Sequence, residues 1–339
     1  MRLAVTGPVW DAGNIVGPMI TNKNEKLERA FKLDEGERWL VAPEYVDEEH
    51  FILRPTIKVD VKPDSFTFRT ELFAPLLAVA PFDMLEEAVD LVNGLDYGLT
   101  SGLQSLDEEE QRYWKNHILA GNLYINRGIT GAIVGRQPFG GMKLSAFGPG
   151  LKAGGPNYVT QFMHITDKSA TTDYRTSYAE WYEKEFRHAR NLHPEIRGEQ
   201  NVFRYLPLQG GMVLRLFGDE SIKKIKMVCL AAKTVHTPLT VSMDKDCALL
   251  AEVSPLCKQV KTESLDDFLR SLKSYDRVRT ISAVVPDAVF EAAAAVDKYI
   301  EQAPPVSNGR IELARYIQEQ SISNEYHRYG SQIEVPPVE

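Results

Sequence analysis

Cysteine is scarce in this chain: Cys229, Cys247 and Cys257 are the 3 among 339 residues, with no CxxC pair and an odd thiol left over. That usage excludes a disulfide scaffold and suits a reducing compartment. Long apolar runs are also missing. The longest, residues 73–82, is broken by Pro75 and Pro81, well short of the roughly 20 residues that cross a bilayer. At the N-terminus Gly7-Pro8 interrupts the sequence before any apolar run of signal-peptide length. There is no basic surplus. Lys and Arg number 39 against 47 Asp and Glu, a net charge of −8, and that sign repels phosphate backbones. The short basic stretch Lys223, Lys224 and Lys226 reads as the solvated face of a helix. The 7 histidines form no HExxH and no His/Cys ligand set, so no metal is expected. These absences point to a soluble, cytoplasmic protein with no nucleic acid partner, membrane span or metal.

What is present is ordinary globular composition, 43% hydrophobic and 25% charged, in a chain long enough for about two domains with substantial cores. Helix starts are legible at Asn22 with Glu25, at Asp83 with Glu86, and at Asp107 with Glu110. Gly94 and Gly121 read as helix stops. Residues 55–61 alternate apolar and polar as a strand does, and 100–105 and 123–125 read as further strands. Strand, helix, strand at this spacing predicts βαβ units and a largely parallel sheet. Residues 166–196 are polar and aromatic without clean periodicity and read as a linker, with a helical piece around 178–190. A second alternation follows. It has strands at 212–217, 239–243 and 280–285, helices at 220–233, 265–272, 287–300 and 309–320, and a final extended tail from Ile322. The organisation expected is therefore 1–165, a linker at 166–196, and a smaller α/β domain at 197–339. The turn at Gly218-Asp219 lacks a GxGxxG, so nucleotide binding there is unsupported.

Two places could carry chemistry. In Thr130-Gly131-Ala132 nothing bulky shields the consecutive backbone N–H groups, and such a nest can hold a carboxylate; the other reading is a plain surface loop. In Glu71-Leu72-Phe73-Ala74-Pro75, Glu71 is either a solvated strand-end carboxylate or a clamp for a ribose diol, with the aromatic ring packing a flat cofactor. Cys229 falls inside an apolar helix and reads as a buried, inert thiol.

These residues resemble a known family. Glu71-Leu72-Phe73-Ala74-Pro75, Tyr97-Gly98-Leu99-Thr100-Ser101-Gly102-Leu103 and Pro138-Phe139-Gly140-Gly141-Met142-Lys143-Leu144-Ser145 are similar to landmarks of the aldehyde dehydrogenase superfamily. Gly121-Asn122-Leu123-Tyr124-Ile125-Asn126-Arg127, Thr130-Gly131-Ala132-Ile133-Val134, Arg136-Gln137-Pro138-Phe139-Gly140-Gly141 and Lys152-Ala153-Gly154-Gly155-Pro156 resemble one branch of it. That branch is the L-glutamate γ-semialdehyde (Δ1-pyrroline-5-carboxylate) dehydrogenases, as in bifunctional proline utilization A. The resemblance covers about residues 5–165. Arg197-Gly198-Glu199-Gln200-Asn201, Gly309-Arg310-Ile311-Glu312-Leu313 and Tyr326-His327-Arg328-Tyr329-Gly330 resemble the C-terminal aldehyde-dehydrogenase-like domain of the longer members, which is regarded as non-catalytic.

The resemblance implies an α/β fold made of the C-terminal part of an aldehyde dehydrogenase catalytic domain plus a second aldehyde-dehydrogenase-like α/β domain. It implies NAD as cofactor, with Glu71 on the nicotinamide ribose and Phe73 near the nicotinamide ring. It implies glutamate semialdehyde as substrate, its carboxylate gripped by the N–H groups of Gly131 and Ala132 and its aliphatic part walled by Phe139. It further implies that the catalytic residues lie outside this chain. None of the three cysteines has the family's Gly-Gln-x-Cys context, and the N-terminal cofactor-binding half, with the oxyanion-stabilising asparagine and general-base glutamate, is expected as a partner. Ala146 stands where the family usually has glycine. The chain is then the C-terminal part of an NAD-dependent enzyme of proline catabolism, whether fragment, truncated product or half of a split enzyme, and inactive alone. A homo-oligomer is compatible with this reading. The alternative is a non-catalytic interaction or scaffold protein that keeps the fold remnant.

Overall fold

The Thr56–Val59 strand buries Thr56 and Lys58 rather than Ile57 and Val59. A buried lysine survives there because its Nζ meets the Glu37 carboxylate at 3.0 Å and donates to the Thr67 hydroxyl and the Lys32 carbonyl. The computed structural model describes residues 4–21, 24–167, 173–192 and 196–327. The chain forms two compact units, Met1–Leu95 and Asp96–Glu339.

In the first unit, Thr56–Val59 is the middle strand of three. It runs antiparallel to Arg38–Val41 and parallel to Leu76–Val79. Glu25–Ala30 is a helix capped by Asn24, whose side chain accepts the Lys26 N–H. The cap is therefore Asn24 where the sequence suggested Asn22, which lies outside the described residues. Leu85–Asn93 is a helix ending at Gly94 as expected, but the Asp83 box is not formed: Met84 is the N-cap and the Asp83 N–H donates to Glu87 instead.

In the second unit the expected βαβ element is present. Thr100–Leu103 and Asn122–Ile125 pair in parallel through the Glu108–His117 helix. Asp107 caps that helix, accepting from Glu109 and Glu110. The helix stops at His117, ahead of Gly121, because the chain must turn early to bring Gly121 against Gly140; a Cβ on Gly121 would stand 2.0 Å from the Gly140 carbonyl oxygen. The sheet continues with Ile317–Glu325 and then Glu199–Pro207, in the order Glu199–Pro207, Ile317–Glu325, Asn122–Ile125, Thr100–Leu103. Strands from either side of the 166–196 segment thus share one sheet.

The other sheet is fully parallel, ordered Gln259–Thr262, Leu239–Met243, Met212–Arg215, Arg277–Arg279, Ile300–Glu301. That order is doubly wound, so both faces are covered. Met212 and Leu214 join one core cluster with Ile225, Val228 and Tyr316, while Val213 joins another with Phe268, Val278 and Val289. Side chains alternating along one strand therefore serve two cores.

Several elements differ from expectation. The strand placed at 280–285 lies at Arg277–Arg279. Its Arg279 is fully buried between Glu301 and Glu312. The helix at 309–320 ends with a short turn at Leu313–Tyr316, and Ile317–Glu325 is a strand paired on both sides rather than the start of a tail. The helix at 287–300 stops at Ala295, and Ile300–Glu301 is an edge strand. Within the segment read as a linker, Tyr174–Trp181 is a helix that continues into a wider turn at Tyr182–Phe186. It packs Tyr178 and Phe186 into the core.

Candidate functional site

Glu71 and Phe73 sit on the connection between the parallel strands Thr56–Val59 and Leu76–Val79, just after the Phe66–Arg69 helix. Phe73 has φ 50, a left-handed backbone that a bulky residue adopts only under constraint. The turn leaves its ring 77% exposed. Glu71 is exposed, and its carboxylate has no intrachain partner among the described residues. Together with Thr67, Thr70 and Ala74 they line a depression of about 240 Å³. A free carboxylate can accept from two hydroxyls, and a free aromatic face can stack on a flat ring. These residues fit a ribose and a planar cofactor ring.

Gly131 and Ala132 lie in the exposed 128–134 loop that follows the Asn122–Ile125 strand. Asn126 opens the loop at φ 59, its side chain accepting the Ser105 N–H and donating to the Ser105 carbonyl. Gly131 has φ 96, and a Cβ there would meet nothing within 4 Å, so glycine is required by conformation and not by space. The Gly131 carbonyl accepts the Tyr124 hydroxyl at 2.9 Å, which fixes that peptide from its far side. Among the described residues the N–H groups of Gly131 and Ala132 have no intrachain partner. Paired free amides on a glycine at positive φ are the donor half of an anion site. Phe139 closes the segment, half-buried, in an antiparallel bridge to Ala153 with N–H···O distances of 3.0 and 2.9 Å.

The residues at the ends of this loop were quoted as motif in the sequence without a role. Gln137 is 4% exposed and its Nε2 lies within hydrogen-bond distance of Glu199, Asn201 and Ser323. Arg127 donates to Ser323 and pairs with Glu199. No local pattern could reveal these partners, which come from strands that begin at Glu199 and Ile317.

Below the loop, Lys152 is fully buried. Its Nζ meets the Gly140 carbonyl and the Asn122 side-chain oxygen, and its backbone N–H donates to Glu319. Burial holds the Lys152 ammonium down to about 7, against the pull of Glu319. Burial also pushes the Glu319 carboxyl up. Asn157 donates to Glu319 at 2.6 Å and to the Tyr205 hydroxyl at 3.0 Å.

The three cysteines gather around one core cluster, Cys229 within it and Cys247 and Cys257 packed against it. A hydrogen bond to Cys257 and then burial push the Cys229 thiol up. At the end of the Met212–Arg215 strand, Glu220 accepts the N–H groups of Phe217 and Gly218 and the Ser282 hydroxyl. The crevice where a doubly wound sheet would hold a phosphate is thus filled by the chain's own carboxylate. Among the described residues no His, Cys, Asp and Glu side chains group as a metal site. Nor is any helix long and apolar enough to cross a membrane.

Residues 1–167 match the aldehyde dehydrogenase family. The 1-pyrroline-5-carboxylate dehydrogenase of Oceanobacillus iheyensis is 36% identical over 165 residues, 48% of this chain and 31% of the relative. That of Geobacillus kaustophilus is 34% identical over 172 residues, 50% of this chain and 32% of the relative. The chain therefore spans about a third of the length of the curated relatives it matches. The structure of proline utilization A from Corynebacterium freiburgense superposes with a TM-score of 0.80 at 31% identity, covering 97% of this chain and 33% of that one. That likeness extends over both α/β parts, so the chain shares the fold of the matched third of that protein.

Proposed function

Residues 1–167 match the aldehyde dehydrogenase family, and from that premise we propose that this chain is the C-terminal part of an NAD-dependent L-glutamate γ-semialdehyde dehydrogenase. The division at 1–165, 166–196 and 197–339 belongs to the same proposal. The observation that carries it is the pair of unpartnered amides at Gly131 and Ala132, held open by the left-handed Gly131. An aldehyde dehydrogenase for simple aliphatic aldehydes has no use for a carboxylate site. One for a semialdehyde that also bears an α-carboxylate does. The relatives matched by residues in this region bear the corresponding name.

In this reading each residue has a limited task. The Gly131 and Ala132 amides bind the substrate carboxylate with charge-assisted hydrogen bonds, each contributing ~1.5–3 kcal/mol. Phe139 excludes water from the aliphatic chain. Glu71 accepts the hydroxyls of the nicotinamide ribose, and Phe73 orients the ring. NAD, when bound, supplies a hydride acceptor. The thiol nucleophile comes from the N-terminal half, since Cys229, Cys247 and Cys257 all lie around the doubly wound sheet. Orientation is the contribution of this chain, and it makes the reaction effectively unimolecular.

The test is reconstitution. The chain should produce no NADH from glutamate semialdehyde alone, and should do so when joined to an N-terminal aldehyde dehydrogenase half bearing a Gly-Gln-x-Cys nucleophile. Turnover by the pure chain would overturn the assignment of the nucleophile to the N-terminal half. A folded but inactive joined protein would favour the scaffold alternative.

A further inference from the structure

We propose that Glu199 is a positioning residue, whose single carboxylate ties the entrance and exit of the 128–136 loop together and so sets the Gly131 and Ala132 amides for the substrate carboxylate. The inference rests on the anchor reading of that loop. The loop itself is poorly suited to hold a geometry. Residues 129–134 are exposed, and ordering each such residue costs backbone entropy. Rigidity has to come from the ends.

At the entrance, Arg127 stands 3.3 Å from one Glu199 oxygen. At the exit, Gln137 donates to the other oxygen at 2.9 Å, and the Arg136 Nε lies 4.0 Å from it. The side chains of Arg127, Arg136 and Glu199 are only 16%, 25% and 17% exposed. Solvent screening is correspondingly weaker than for surface pairs. Without Glu199 the two guanidiniums would repel across the mouth of the loop, and Gln137 would lose an acceptor.

The acceptors are aligned by strand register. Asn201 pairs with Ser323, and Ser323 pairs with Tyr124. Cross-strand partners face the same side of a sheet, and Glu199, two residues from Asn201, joins them there. One row over three strands therefore holds the loop at its entrance through Ser323 and Arg127, and at its middle through Tyr124 and the Gly131 carbonyl. It holds the exit through Asn201 and Gln137. The Gln137 amide has two hydrogens for three acceptors. The charge on Glu199 is the element of the row that neither Asn201 nor Ser323 can replace.

Two readouts test this. In the present chain, Glu199→Ala should speed amide hydrogen exchange at Ile133, Gly135 and Arg136, whose N–H groups donate to the Gln137, Gly154 and Ile133 carbonyls, by about tenfold or more, as loss of a charge-assisted contact predicts. The Met212–Arg215 and Leu239–Met243 strands should be unaffected. In the enzyme completed with its N-terminal half, Glu199→Ala should raise KM for glutamate semialdehyde by about tenfold with kcat within about twofold, and leave a simple aliphatic aldehyde unchanged. Glu199→Gln, which keeps an acceptor for Gln137 and loses the charge, serves if the alanine variant does not fold, and should show the same pattern at smaller size. Unchanged exchange in a folded variant, or equal loss on both aldehydes, would overturn the proposal. Faster exchange combined with a Gly131→Pro enzyme that keeps its preference for the semialdehyde would leave Glu199 holding the loop and reject the anchor reading instead.

Discussion

Glu319 accepts the backbone N–H of Lys152 at 2.7 Å, joining residues 167 apart in the sequence. The contact fastens the segment carrying Lys152-Ala153-Gly154-Gly155-Pro156 to the Ile317–Glu325 strand. Ala153 of that segment is the bridge partner of Phe139. The wall expected for the substrate's aliphatic chain is therefore seated by the C-terminal strand pair, as the anchor loop is.

Lys152 makes this seat sensitive to pH. Burial lowers it from 10.5 to about 7, while its Nζ keeps two oxygen acceptors that a neutral amine can still satisfy. A lysine with a folded pKa below its unfolded one leaves the folded state short of protons between the two values. Its contribution to stability therefore rises with pH from about 7 toward 10.5. Urea midpoints from about pH 7 to about pH 10 should climb for the natural protein relative to Lys152→Met, by about 3–4 kcal/mol in stability at ~1.4 kcal/mol per pKa unit. Burial raises Tyr178, Tyr205 and Tyr316 above their usual 10.0, so their opposing slope begins above this window. Parallel curves for the two proteins would mean Lys152 titrates normally.

Gly131→Pro should remove one anchor donor and force φ from 96 to about −65. In the completed enzyme, kcat/KM for glutamate semialdehyde should fall by roughly ten- to a hundredfold or more. An aliphatic aldehyde without a carboxylate should be spared. Ala132→Ser keeps the backbone donor and should be mild. Equal losses on the two aldehydes would make the loop structural.

Glu312→Ala should be among the most damaging substitutions in the doubly wound part. The carboxylate is fully buried, meets Arg279 at 3.3 Å, and accepts the Tyr316 hydroxyl at 2.7 Å and the Val306 N–H at 3.0 Å. Its loss would leave Arg279 with Glu301 as its remaining carboxylate, strand the Tyr316 and Val306 donors, and take away the carboxylate that Arg315 meets at 2.8 Å. Breaking a buried pair from one side costs about 3–5 kcal/mol. Denaturant unfolding should show that loss, and a cost below ~1 kcal/mol would show that water or Glu301 compensates. Activity in the completed enzyme should follow the folded fraction, since Glu312 touches none of the loop residues.

The sequence by itself determined what is local. Asp107 caps its helix and the 212–215 and 239–243 runs are strands, because caps and side-chain period act within a few residues; the freedom of Gly131 marks a possible nest in the same local way, whereas Glu71, Phe73 and Phe139 are candidates through the family resemblance. The polar stretch Ile317–Glu325 was misread as helix and tail because nothing near it says what it pairs with. Its glutamines and serines are satisfied only by groups elsewhere, such as the Gln320 amide on the Ala120 carbonyl and the Ser321 hydroxyl on the Pro138 carbonyl. Tertiary structure alone decided that Glu199, Asn201 and Ser323 meet Arg127 and Gln137. Strand register lines up residues that no sequence spacing relates, and a buried polar group is stable only where that register supplies its partner.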